Sequence, residues 1–401
     1  MNLKLAHSAD THLGEHGGPM RGTRSIRDLC LEALLDEHLI PDIEIQQPDV
    51  IVFPGDGFLV RRPSCFHVLM MLRMLRRLTQ ICPVVITPGN HDQLNDGRPG
   101  IWDLIAKMNI PNLYYLGPTP SHGDLMINGH LVSFYGVPYP QRHWLTAAEQ
   151  KGKSLNEINR ALVDKVMEDL KLWSAYAKGE YKIALVHASV TGARLPSGSL
   201  LLADGEPVLP TEEIEALGLD YVALGHIHKH QRVTDRMYYP GAPERFNFGE
   251  IEDDKGYLMV QLKQNAKPLV EFRPLPATRF TSIELDATQI LAVDDYDVLL
   301  SGHMIARAIV DFRIQGTASD IALVDQPALI AAAMAGGALY VNSVKRHSTS
   351  SVIRQRNASI TEQTDPKAAL TSWLLEQKLP DPELLTQGVA IIQEVEAYVL
   401  N

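Results

Sequence analysis

The sequence predicts an α/β protein with a large first domain, and three observations predict it. Short apolar runs rich in β-branched residues recur along the chain, each ending at a glycine or a polar turn. Helix-like stretches separate the first three runs, giving strand, helix, strand, helix, strand. At 401 residues the chain exceeds the length one typical domain needs, so appended units are expected beside a main core.

The elements follow in order. Leu3 to Ala9, Val50 to Phe53, Val84 to Thr87, Leu131 to Val137, Ile183 to Val186 and Tyr221 to Leu224 read as buried strands. They are short, rich in β-branched residues and bounded by turn chemistry. Ser25 to Gln46 and Ser64 to Ile81 read as helices. From Tyr238 to Leu275, turn signals alternate with the strand-like GYLMVQL and LVEFRPL, which completes a first domain over 1–280. A second unit over 281–345 contains a strand at Ala306 to Arg313, a helix at Gln326 to Ala335 and a strand at Ala338 to Val344. The remainder, 346–401, holds helices at Asp365 to Lys378 and Pro382 to Asn401. In the latter, Leu385, Val389, Ile392, Val395 and Val399 recur at helical spacing, so one face is apolar.

Composition excludes several function classes. With 37 basic and 48 acidic side chains the net charge is −11, so general basicity cannot carry nucleic-acid binding. Residues 281–401 hold 8 basic and 15 acidic side chains, which concentrates the acid at the C-terminal end. Cys30, Cys65 and Cys82 are odd in number and form no CxxC, so neither a disulfide framework nor a zinc knuckle is predicted. The opening MNLKLAHSAD lacks a secretory pattern, and no segment reaches the ~20 continuous apolar residues of a membrane span. A cytoplasmic protein is expected, nucleoid-associated in a bacterial host.

The residues that carry chemistry follow the strand-like runs, where an α/β sheet presents its ligand-binding loops. They are Asp10 and His12 in ADTH, Asp56 in PGDG, Asn90 and His91 in PGNHD, His187 in LVHAS, and His226 and His228 in GHIH. Any one of them is ordinary turn chemistry. All five motifs in sequence, each behind a strand, point to a two-metal site, because carboxylate, imidazole and amide oxygen are the ligands that manganese, iron or zinc takes. A carboxylate can bridge two cations roughly 3.5 to 4 Å apart, a spacing suited to phosphoryl chemistry. Hydrolysis of phosphate esters is the predicted reaction class.

These five motifs resemble those of the calcineurin-like metallophosphoesterases. Within them, KLAHSADTHLG, RRPS after the second motif and YPGAPERFNFGEIEDDKGY after GHIH resemble the SbcD-type nucleases of DNA double-strand-break repair. The resemblance implies a β-sandwich flanked by helices, a small α/β capping domain at 281–345 and C-terminal helices. It further implies that Asp10, His12, Asp56 and His228 bind one metal and that Asp56, Asn90, His187 and His226 bind the other, manganese being preferred. His91 would lie beside the scissile phosphate as the catalytic acid or charge stabiliser, and an ordinary imidazole pKa of about 6.5 suits proton transfer. One departure stands out: after GD the family commonly has a bulky apolar residue, Phe, then His or Asp, whereas this chain has Gly57, Phe58 and Leu59. Leu59 cannot donate to a phosphate, so exonuclease efficiency and polarity are not carried over.

Between Gly57 and Asn90 no acidic residue occurs, yet Arg61, Arg62, Arg73, Arg76 and Arg77 do. Such a local basic patch can bind DNA phosphates on an acidic protein. Arg61 and Arg62 are the first candidates for contact with double- or single-stranded DNA, Arg21 and Arg24 the second, while Arg73, Arg76 and Arg77 also fit a solvated helix edge. The resemblance implies a homodimer and an SbcC-type, SMC-like ATPase docked on the terminal helices; the apolar stripe there equally fits packing within the chain. The competing readings are another phosphodiesterase or phosphatase of the superfamily, and a DNA-binding scaffold with weak catalysis.

Overall fold

The computed structural model describes residues 2–194, 205–293, 295–348, 365–376 and 382–399, without the side chains of 375, 376, 382, 383 and 393–399. Two compact units make up the chain. The first comprises 1–285, 293–313 and 325–345, the second 286–292, 314–324 and 346–401.

Two six-stranded sheets form the centre of the first unit. In one, Leu3–His7, Val50–Pro54, Val84–Thr87 and Leu113–Tyr115 run parallel, and Gly256–Leu262 and Leu269–Pro274 extend the Leu3–His7 edge antiparallel. In the other, His130–Val137, Tyr181–His187, Tyr221–Gly225 and Met237–Tyr239 are parallel neighbours. Ser121–Ile127 and Gln231–Arg232 close its two edges antiparallel.

Alternation along the strands builds the layers. Leu3, Leu5, Val50, Val52, Leu258 and Val260 of the first sheet pack against Val132, Phe134, Ile183, Leu185 and Tyr221 of the second. The opposite face of the first sheet, with Ala6, Ile51, Phe53 and Ile86, packs on helices through Leu35, Leu39, Met71, Met74 and Trp102. The outer face of the second, with Val137, Ala184, Val186 and Leu224, packs on Val166, Met167, Leu170 and Trp173. The result is a β-sandwich covered by helices on both sides, the expected architecture. Burial on both faces is why these strands read as continuous apolar runs rather than alternating ones.

Several elements differ from the sequence reading. Ser25 to Gln46 is not one regular helix: Leu34–Leu39 between Ile26–Ala33 and Ile40–Gln46 is π-helical. Pro41 explains it, since its ring lacks an N–H and crowds the carbonyl of Glu37, and the ladder widens there. Leu155–Tyr176, 22 residues long, was not anticipated. Its start is written in a capping box in which Ser154 Oγ accepts from Glu157 N and Ser154 N donates to the Glu157 carboxylate.

Arg279–Asp286, Ala308–Gly316 and Tyr340–Ser348 form a three-stranded sheet. In the first unit, Phe280, Ile309 and Tyr340 make a cluster with Ile26, Phe248 and Ile251. The second unit contains the short helices Ala287–Leu291 and Ala318–Leu323 and the longer Pro366–Glu376 and Pro382–Val399. The longer pair approach closely at Gly388, where a methyl group would overlap Leu370. Leu385, Val389 and Ile392 are half-buried; the side chains of Val395 and Val399 lie outside the described residues. No described helix is long and apolar enough to cross a membrane.

Candidate metal centre

Parallel strands deliver their C-terminal loops to one edge, and five such loops in the first unit carry the motif residues. The loops are tied together by backbone. Asp10 N donates to Gly55 O at 3.0 Å, His12 N to Asp56 O at 3.0 Å and Leu13 N to Gly57 O at 2.9 Å, joining the first loop to the second. Asp92 joins the second to the third. It is buried, its Oδ2 accepting from Gly57 N (3.2 Å) and Gly89 N (2.9 Å) and its Oδ1 from Phe58 N (3.0 Å).

These loops hold side chains at a conformational cost. Asp10, His12, Asp56 and His226 have φ of +56°, +44°, +50° and +102°, a region non-glycine residues seldom occupy. Strain of this kind gathers at functional sites, where surrounding contacts over-determine the backbone. Glycine supplies the remaining room: a methyl group at Gly55, whose φ is +89°, would overlap the His187 ring, and one at Gly225 would overlap the Pro54 carbonyl.

The side chains converge. Asp10, His12 and His228 present ligand atoms within 4.8 Å of one another, as do Asp56, His187 and His226. Asp56 lies between the groups, its Oδ2 being 3.3 Å from His187 Nε2 and 3.7 Å from His12 Nε2. Asn90 Oδ1 is 3.1 Å from both His187 Nε2 and His226 Nδ1. The seven residues expected to be ligands are thus brought together. His91 is brought to the same place: its backbone N–H donates to Asp56 Oδ1 at 2.9 Å, and one of its ring atoms groups with His12 and Asp56. Its Nδ1–H donates to Leu59 O at 2.6 Å, which leaves Nε2 for chemistry.

The donor set fits a pair of cations. His187 Nδ1–H donates to the Pro54 carbonyl at 2.8 Å, so Nε2 is the ring atom turned to two oxygens, Asp56 Oδ2 and Asn90 Oδ1. His12 Nε2 and His228 Nε2 face each other at 2.9 Å, and His12 Nδ1 is buried without a hydrogen-bond partner. Two buried ring nitrogens held this close need a proton or a cation between them. Among the described residues the ion pairs of Asp56 are to His12 and His187, and none involves lysine or arginine.

Electrostatics agree. Burial raises the Asp10 carboxyl, against the pull of His187 and His228. Burial would raise Asp56 as well, but the charge and hydrogen bond of His187, with His12 and His91, hold it well below the usual carboxylate range. Burial works against protonation of His187, and the charge and hydrogen bond of Asp56, with Asp10, overcome it and raise that ring to about 9. The Asp56 carboxylate thus favours positive charge beside His187, whereas burial holds the His12 ring well below the ordinary imidazole range.

The basic candidates are placed variously. Arg61 is exposed at the rim, its Nε–H donating to Asn90 O at 3.3 Å, and Arg62 and Arg21 are exposed. Arg24 pairs with Glu32 and lies over the Phe66 ring. Arg73 pairs with Glu32 and Asp36, and Arg77 with Asp36.

Three further residues at the centre escaped the sequence reading. Asp92 could have been found, since it completes the PGNHD motif already singled out. Glu250 lies inside YPGAPERFNFGEIEDDKGY, a run the sequence singles out from Pro240 to Gly249 without giving this glutamate a role. Glu206 belongs to no motif, and only the fold brings it to His226.

Comparison with known proteins bears on identity. At 25% identity the chain is similar to the DNA double-strand break repair protein Mre11 of Methanopyrus kandleri over 301 residues, 73% of this chain and 59% of that protein. At 24% identity it is similar to the D component of the nuclease SbcCD of Staphylococcus epidermidis over 306 residues, 72% of this chain and 74% of that one. The chain therefore spans less than two thirds of the Methanopyrus relative. Among solved structures, a dimetal phosphatase from Danio rerio is 12% identical, with 68% of this chain and 99% of that chain covered and a TM-score of 0.38. The family profile for calcineurin-like phosphoesterases matches residues 3–230, the stretch that supplies most strands of both sheets and all eight motif residues, and the chain belongs to that family.

Proposed function

We propose that this phosphoesterase is a metal-dependent DNA nuclease that cleaves phosphodiester bonds at DNA ends during double-strand-break processing. The observation that carries the reading is the convergence of Asp10, His12, Asp56, Asn90, His187, His226 and His228 on one loop edge with His91 beside them. Relatives named for break repair and for nuclease activity give it its direction. Asp10, His12, Asp56 and His228 hold one divalent ion, and Asp56, Asn90, His187 and His226 the other, with manganese as the working metal. When bound, such a pair supplies Lewis acidity and makes water a nucleophile near neutral pH.

The chain's own residues do the rest. Asp56 sits between the two groups and its charge sets their common field. His91, held by Leu59 O through Nδ1–H, keeps Nε2 for the leaving oxygen, where a protonated ring gives up its proton as the ester bond breaks. Arg61, tethered to the Asn90 carbonyl, holds a guanidinium where a phosphate backbone would pass, with Arg62 next to it and Arg21 and Arg24 as a second group. Residues 281–345 serve as the capping domain. The apolar stripe from Leu385 to Val399 docks an SMC-like ATPase, and the working form is a homodimer.

The test measures manganese-dependent hydrolysis of end-labelled duplex and single-stranded DNA beside a generic phosphodiester and a phosphomonoester. Faster turnover of DNA supports the reading. Equal or better turnover of the small esters assigns the chain to another branch of the family, and DNA binding without hydrolysis makes it a scaffold.

A further inference from the structure

The sequence sets apart the tract Pro240–Gly249 and the GEIEDDKGY that overlaps its end, and two-ion chemistry alone gives it no task. Its buried centre is Glu250, 1% exposed, on the short 3-10 turn Phe248–Glu250. Glu250 Oε1 accepts from His228 Nδ1–H at 3.1 Å and from Asn247 Nδ2 at 2.7 Å. Its Oε2 accepts from Lys255 Nζ at 2.7 Å and from Phe246 N at 3.2 Å. Lys255 is itself fully buried, and its Nζ also donates to the His228 carbonyl at 3.0 Å. With four donors on two oxygens the carboxylate cannot turn, and the ring of Phe246 packs against both His12 and His228.

A second carboxylate stands behind the other histidine of GHIH. Glu206 Oε2 accepts from His226 Nε2–H at 3.0 Å, and Glu206 Oε1 accepts from the buried Ser189 Oγ at 2.7 Å. A carboxylate only accepts, so each glutamate fixes where its imidazole carries the proton. His226 must be protonated at Nε2 and His228 at Nδ1. Their lone pairs are then His226 Nδ1, which faces Asn90 Oδ1, and His228 Nε2, which faces His12 Nε2. Two histidines separated by one residue thus present opposite ring nitrogens to the two metal groups.

We propose that Glu206 and Glu250 are positioning residues, one for each ion, that lock the GHIH histidines in opposite tautomers, with Lys255 neutralising the buried member. The proposal rests on the two-ion reading above. It explains why the tract lies next to GHIH: its residues surround the carboxylate that orients His228. The two carboxylates differ in charge. The negative charge of Glu250 is cancelled by Lys255, whereas Glu206 has no lysine or arginine partner among the described residues and faces the His226 N–H. Glu206 therefore adds field as well as orientation.

The test uses the full chain labelled with 15N-histidine, first without metal, by long-range proton–nitrogen correlation of the rings. In the wild type, His226 should show the Nε2–H pattern and His228 the Nδ1–H pattern. E206A should mix the tautomers of His226 alone. E250L/K255M, which replaces the buried pair by apolar groups and leaves no lone charge, should mix those of His228 alone. Manganese titration followed by the resonance of the free ion should then show one ion weakened by roughly 10- to 100-fold in each variant and the other unchanged. E250Q/K255M, which keeps an oxygen for the Nδ1 proton, should recover most of the loss. Wild-type rings in the reverse tautomers, or both variants holding two ions at wild-type affinity, would overturn the proposal. A wild type that binds fewer than two ions would instead refute the two-ion reading, while the ring spectra of the metal-free protein still decide the tautomer lock.

Discussion

Asp56→Asn tests the centre most directly, because it removes one charge and almost no volume. Asp56 is 2% exposed and lies between His12 and His187. Full burial works against protonation of His187, yet the charge and hydrogen bond of Asp56, with Asp10, raise it from 6.5 to about 9. A rise of that size is worth roughly 3 kcal/mol in favour of one positive charge at that point. The same carboxylate charge would face a bound cation, so the neutral amide should weaken metal binding by about 100-fold. The amide oxygen can still accept from His91 N, and the fold should survive. Elemental analysis after equilibrium dialysis against manganese, with hydrolysis of end-labelled duplex measured in parallel, reads both effects. Two ions at wild-type affinity together with undiminished hydrolysis would refute the assignment of Asp56 to the centre.

His91→Ala should keep both ions and lose at least roughly 100-fold in rate, as removal of an acid or charge stabiliser does; a loss of metal equal to that of Asp56→Asn would make His91 a ligand, as its grouping with His12 and Asp56 allows. Leu59→His should raise single-turnover exonuclease rates on duplex ends with metal content unchanged, because it adds a donor beside the carbonyl that anchors His91; no gain, beside vigorous activity in the unaltered protein, would mean another side chain fills that role. If the stripe docks an SMC-like ATPase as proposed, Val389→Asp with Ile392→Asp should abolish co-purification with it while metal content and short-substrate hydrolysis persist, since burying two unpaired carboxylates costs several kcal/mol; a lowered melting temperature with partner binding intact would assign the stripe to packing inside the second unit.

The strands were legible because burial on both faces leaves an unbroken apolar run, as in VIVF before Asp56 and VVIT before Asn90, and a run of that kind has one structural solution. The metal-ligand candidates were legible for a related reason: a parallel strand ends in a loop at a fixed edge, so motifs at five strand ends must meet. Helix Leu155–Tyr176 carries both a capping box and an apolar period through Ile158, Leu162, Val166, Leu170 and Trp173, so it was legible although unanticipated, whereas the π-helical turn before Ile40 was signalled only by Pro41. What no local pattern could supply was the ring of supports around the ligands. Asp92 pins two loops through three backbone N–H groups, Glu250 and Lys255 meet as a buried pair, and Glu206 lies 20 residues before the histidine it touches. The sequence by itself singled out the candidate ligands, because ligand chemistry and strand ends are local properties. The tertiary structure alone decided which nitrogen each histidine presents, because a tautomer is set by whatever hydrogen-bond partner the folded chain brings to the far side of the ring.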